Sequence, residues 1–147
     1  MTQPVMTDEV VNRVKILQEE IDQLQISLGA IEQQIGLISR VINSLNDAIN
    51  TQNELKNKKP GEELLVPIGG SNYILCTVKD PKNTFVSIGS GISLHTELTN
   101  SEKRNKVQIE NLEKNITQLE EQYSQFSQML NNRRQELLKI AQKYQIL

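Results

Sequence analysis

Apolar residues run from Val10 through Val14, Leu17, Ile21, Leu24, Leu28, Ile31, Ile35, Ile38, Ile42, Leu45 and Ile49, with gaps that alternate between four and three and no missed position. A strict seven-residue repeat makes a narrow stripe that keeps facing a partner only when helices wind left-handed about each other, so this stretch reads as a coiled-coil strand. Thr7 is the expected cap, with Asp8 and Glu9 suited to the positive end of the helix dipole, and the helix is expected to stop before Pro60-Gly61. A second series runs through Ile109, Leu112, Ile116, Leu119, Tyr123, Phe126, Leu130, Leu137, Ile140, Tyr144 and Leu147, with Arg133 as its one break. Asn100 or Ser101 is the expected cap of this second helix.

At about 1.5 Å per residue each series reaches roughly 70 Å, and neither can bury its stripe alone. Two series of matched length joined by a compact insert pair most simply within one chain, because a local partner carries the smaller association cost. The expected fold is therefore mostly α, a long antiparallel two-stranded coiled-coil hairpin. One register sets Val10 beside Tyr144, Ile21 beside Arg133, Leu28 beside Phe126 and Ile49 near Asn105, and a slip of one heptad stays open. Gly29 and Gly36 sit behind the seam, either as tolerated solvent-side residues or as points of compliance.

Between Pro60 and Leu98 the period changes to about two. Four short strands are predicted, Leu64 to Ile68, Tyr73 to Lys79, Thr84 to Ile88 and Ile92 to Thr96. They are linked by Gly69-Gly70-Ser71-Asn72, Asp80-Pro81-Lys82-Asn83 and Gly89-Ser90-Gly91, and this turn chemistry gives two small β-hairpins. So few residues cannot enclose a core, and their edges and one apolar face need cover from other subunits. The chain divides into an N-terminal coiled-coil arm (1–59), a double β-hairpin assembly module (60–98) and a C-terminal coiled-coil arm (99–147), together one structural domain. The assembly surface is expected from Leu64, Val66, Ile68, Tyr73, Leu75, Val78, Phe85, Val86, Ile88, Ile92 and Leu94.

Composition narrows the function. Only 37% of the 147 residues are hydrophobic and 3% aromatic, too lean for a globular core of this length. A formal charge of −2 supplies no field for nucleic acid or anionic lipid, so neither nucleic acid nor membrane is an expected partner. With no secretory h-region, no spanning apolar run and the lone Cys76, the expected setting is cytoplasmic. His95 and Cys76 lie on different predicted strands, Gly89-Ser90-Gly91 lacks dinucleotide-loop spacing, and paired glutamates such as Glu19-Glu20 lie on solvated helix faces. No enzyme, cofactor or metal site is read from these residues.

In an antiparallel hairpin both termini meet at one end. There Val5, Met6, Val10, Val11 and Val14 face Ile140, Tyr144, Ile146 and Leu147, more apolar surface than a two-stranded seam requires. Either both ends zip into the seam, or the patch binds unfolded chains through non-directional apolar contact.

The insert reads Glu63-Leu64-Leu65-Val66-Pro67-Ile68-Gly69, then Val78-Lys79-Asp80-Pro81, then Val86-Ser87-Ile88-Gly89-Ser90-Gly91. Set between two heptad arms, these segments resemble the α-class subunit of prefoldin, of the archaeal type. The likeness covers nearly the whole chain, with one departure at Ile92-Ser93-Leu94-His95, where the family more often carries aromatic residues. The resemblance implies a hexamer of two α and four β subunits, so that a second α subunit and β-class subunits are partners. It also implies capture of unfolded client proteins at the arm tips, through the terminal apolar residues above, and their delivery to a group II chaperonin without ATP. The alternative from a different class is a coiled-coil scaffold or tether without general chaperone activity.

Overall fold

A computed structural model of the chain describes residues 6–145. Its elements in order are α1 (Asp8–Lys56), β1 (Glu63–Gly69), β2 (Asn72–Thr77), β3 (Asn83–Gly89), β4 (Ile92–Glu97) and α2 (Leu98–Tyr144). The two long helices and two antiparallel hairpins match the fold expected from the sequence. Two compact units form, one from Met1–Ser39 with Lys114–Leu147 and one from Arg40–Glu113.

The first unit is helical from Asp8 onward in α1 and up to Tyr144 in α2. Thr7 caps α1 as expected: its Oγ1 accepts from the Val10 N–H at 3.4 Å and its carbonyl from the Val11 N–H at 3.1 Å. Every described heptad position of both series in this unit is buried or half-buried, with Leu17 fully buried and Leu28, Ile31 and Leu130 in the core. Full burial of such a leucine contributes about 1.5–3 kcal/mol. The pairings Glu20 with Arg133 and Glu32 with Tyr123 show the helices antiparallel and within one residue of the first register expected above. Those two pairs fit the first register and not one slipped by a heptad. Helix α1 passes through Gly29 and Gly36 without interruption, and a Cβ at either would meet open space.

The second unit holds both hairpins and the flanking helix ends. Strand β1 pairs with β2 and β3 with β4, and no further strand joins either two-stranded sheet among the described residues. Each hairpin turns through two residues with positive φ, Gly70 (56°) with Ser71 (61°) and Ser90 (51°) with Gly91 (74°). Left-handed geometry at both central residues matches the twist of the strands, which is why these small residues stand there. Gly69 and Gly89, each at φ 98°, follow a one-residue irregularity in register after Pro67 and Ser87. Between the hairpins, Asp80 Oδ1 accepts from the Lys82 N–H and Oδ2 from Asn83 Nδ2, both at 2.9 Å. These bonds, the Asn83 one foremost, hold the Asp80 carboxyl below the usual carboxylate range.

Most strand ends fall within one residue of expectation, and two element boundaries differ by more. Strand β2 ends at Thr77 instead of Lys79, because the chain turns after Val78, whose N–H donates to the Glu62 carbonyl at 2.8 Å. Helix α2 begins at Leu98, ahead of the expected Asn100 or Ser101 cap. The Leu98 N–H still donates to the Lys82 carbonyl at 2.8 Å, so β4 passes into the helix with no separate loop. Ser101 is then a buried first-turn residue facing α1.

Candidate binding surfaces

The terminal residues singled out in the sequence do not all behave alike. Val10, Val14, Ile140 and Tyr144 are half-buried in the seam, Met6 is half-buried, and Val11 is exposed. Val5, Ile146 and Leu147 lie outside the described residues. Nearby, Arg13 grips Glu136 through two bonds, Nε to Oε1 at 2.8 Å and Nη2 to Oε2 at 3.0 Å. Arg133, the one break in the second apolar series, places Nε 2.6 Å from the buried Glu20 Oε2 and Nη1 3.8 Å from Glu136. A planar guanidinium at a seam position can keep its stem among apolar neighbours while its head pairs at the edge. Tyr123 donates its hydroxyl to Glu32 Oε1 at 2.8 Å, and that bond to a carboxylate raises the phenol above its ordinary value.

Of the residues expected for assembly, Ile68, Tyr73, Leu75, Phe85, Ile88, Ile92 and Leu94 are exposed in the single chain, and Leu64, Val66 and Val86 are half-buried. Val78 is buried within the chain, as is Leu98. In the hairpins, two exposed apolar side chains were left out of the expected assembly surface, Leu65 and Ile74. The signal for Leu65 was present: Leu64-Leu65-Val66 is a continuous apolar run, which marks a strand with two apolar faces instead of one. The register makes this explicit, since Leu65 stands opposite Leu75 and Pro67 opposite Tyr73 on one face, while Leu64 stands opposite Cys76 and Val66 opposite Ile74 on the other. His95 lies opposite Phe85, ring centroids 5.0 Å apart, and Phe85 is 74% exposed.

Where the apolar series give out in the second unit, a polar layer takes over. Gln52 and Ser101 are buried and bonded, Nε2 to Oγ at 2.9 Å, with Asn105 Nδ2 at 3.5 Å from Gln52 Oε1. The Glu102 side chain is only 8% exposed and pairs with Lys56 of α1 and, at 2.7 Å, with Lys106 one turn on. Its carboxylate accepts from both ammonium groups, so burial leaves it paired on each oxygen. This layer was invisible to hydropathy, because Gln, Ser and Glu read as surface.

Open grooves also mark the described surface, one of about 420 Å³ lined by Lys56, Lys58, Pro81 and Leu98 among others. Another of about 450 Å³ runs between the end of α1 and β1, lined by Leu55 and Leu64 to Pro67. In the first unit, grooves of about 370 Å³ and about 240 Å³ lie beside Leu24 and Met129 and beside Ile38 and Leu119. Among the described residues no cluster of His, Cys, Asp or Glu has metal-binding geometry, and no helix is long and apolar enough to cross a membrane.

Comparison with known proteins gives these surfaces a context. The sequence pattern of the Prefoldin subunit family matches residues 17–143, both helices and the hairpins between them. Prefoldin subunit alpha 1 of Thermococcus kodakarensis is 39% identical over 62 residues, 42% of this chain and 38% of that protein. The match therefore spans well under half the length of that relative. A chain of filamentous PFD from Methanocaldococcus jannaschii, solved by cryo-electron microscopy, shares the fold at a TM-score of 0.70 and 22% identity, over 81% of this chain and 98% of that one. A family match over most of the sequence, together with two hairpins set between paired heptad helices, shows that this chain belongs to the prefoldin family, a family of chaperones and not of enzymes.

Proposed function

We propose that this chain is a subunit of an ATP-independent co-chaperone that binds non-native polypeptides at the tips of its coiled coil, prevents their aggregation and delivers them to a group II chaperonin. The observation that carries the reading is the pair of hairpins with bare apolar faces: Leu65, Tyr73, Leu75, Ile88 and Leu94 are exposed in the single chain, and exposed apolar patches of this kind are interfaces waiting for a partner. The proposed partners are β-class prefoldin subunits and a second α subunit, in a hexamer of two α and four β chains working in the cytoplasm; membership of the prefoldin family supports this reading. The terminal residues, Val5, Met6, Val10, Val11, Val14, Ile140, Tyr144, Ile146 and Leu147, are the proposed client-binding set. They act by apolar contact that requires no particular client sequence.

The test is assembly followed by function. Mixed with a β-class subunit, the chain is expected to give a hexamer by native mass and to suppress aggregation of a denatured client without nucleotide. Removal of residues 1–11 and 141–147 is expected to abolish suppression and leave the hexamer intact. A mixture that assembles and protects nothing identifies a scaffold or tether instead.

A further inference from the structure

Charge is distributed along the first unit in a way that helix formation does not require. Residues 8–22 of α1 carry seven charged side chains and residues 133–143 of α2 carry five. Between them, Gln23 to Ser39 carries one, Glu32, and the antiparallel stretch Asn115 to Asn132 carries two, Glu120 and Glu121. Glu and Lys form helix as well as Gln does and add stabilising pairs one turn apart, so propensity gives no reason to exchange charge for amide. Both helices make the exchange over the same span.

The neutral stretch has a preferred side. Glu32 and Glu120 each follow a seam residue, Ile31 and Leu119, whereas Gln34, Asn115 and Gln122 each precede one, Ile35, Ile116 and Tyr123. Following and preceding positions fall on opposite sides of a paired helix. The amide side opens into the groove of about 240 Å³, whose lining is Gln34, Ile38, Asn115, Gln118, Leu119 and Gln122, four primary amides over two apolar seam residues. The same stretch bears the two most exposed aliphatic side chains among the described residues of the first unit, Ile26 at 66% and Leu37 at 58%, more exposed than Val11 near the terminus.

We infer that this amide-lined side of the helix pair is a second contact surface for non-native polypeptide, taking extended backbone through Gln34, Asn115, Gln118 and Gln122. The inference rests on the chaperone reading above and extends it from apolar side chains to the main chain. A primary amide offers a donor and an acceptor, the same pair a peptide unit presents, and so can bond a strand running in either direction. An extended segment outside secondary structure leaves those groups unpaired, which separates a non-native chain from a folded one. Neutral amides also lose less hydration free energy than carboxylates or ammonium groups when a chain covers them.

The experiment uses the complex assembled with its β-class partner and two triple variants, Q34E/Q118E/Q122E and Q34A/Q118A/Q122A, at exposed positions where helix content by circular dichroism is expected to stay unchanged. The probe is a short uncharged fluorescent peptide and its backbone N-methylated twin, which lacks most N–H donors. Unsubstituted complex is expected to bind the plain peptide several-fold tighter than the twin, both variants are expected to lose that preference, and the glutamate variant is expected to need several-fold more complex for equal protection of a denatured client. Equal binding of both peptides by the unsubstituted complex, or variants that keep the preference, overturns the inference while leaving terminal capture standing. An unsubstituted complex that protects no client overturns both.

Discussion

The two hairpins are near copies in backbone and in one apolar face, and differ on the other face. Each strand residue of the second lies twenty positions after its counterpart, Glu63 opposite Thr77 becoming Asn83 opposite Glu97, and both carry the same irregularity before the turn glycine. Turn chemistry fixes that shared backbone: small residues at positive φ leave the strands one pairing. The faces differ because side chains on a strand alternate. The first hairpin has apolar residues on both faces, Val66 with Ile74 and Leu65 with Leu75; the second has Val86 with Leu94 on one face and Phe85-His95, Ser87-Ser93 and Asn83-Glu97 on the other. In the proposed complex the first hairpin needs cover along two faces, and the second along one face and at Phe85 alone on the other.

The largest effect expected from this difference is on assembly. Leu65→Lys with Leu75→Lys is predicted to abolish hexamer formation in native mass spectra, while Phe85→Lys with His95→Lys leaves most of it. Equal losses would place both hairpins in the same environment. Next comes the shared backbone: Gly69→Val and Gly89→Val each force a β-branched residue to φ 98°, with an expected cost of about 1–3 kcal/mol in thermal or urea unfolding, and the two values should agree.

Smaller again is the polar layer where β4 passes into α2. Glu102→Gln removes the charge shared by Lys56 and Lys106, with an expected loss of about 1–2 kcal/mol by urea titration. The smallest effect is at the connector. Because the folded Asp80 carboxyl is held below its ordinary range, its contribution is present above the unfolded value of about 4 and is lost as pH falls through the folded value. Melting temperature should therefore decline on acidification, and Asp80→Asn should flatten part of that decline.

The sequence disclosed the seam because one period ran over two long stretches with Arg133 its single break, and burial selects every one of those described positions. Hairpins were legible from glycine spacing. The start of α2 was not, because Asn100 and Ser101 resemble caps locally while a long-range bond from Leu98 to Lys82 decides where the helix begins. Gln52, Ser101 and Glu102 were missed since burial of polar residues depends on partners far along the chain, which hydropathy cannot register. The second apolar face of the first hairpin lay open in Leu64-Leu65-Val66, yet alternation was the pattern sought.

The most direct measurement is light scattering from a chemically denatured client diluted into buffer without nucleotide, with the chain assembled on its β-class partner present or absent. Suppressed scattering at near-stoichiometric complex, lost when residues 1–11 and 141–147 are removed, is the predicted result. Scattering that follows the same course with and without an intact complex would contradict the proposed function.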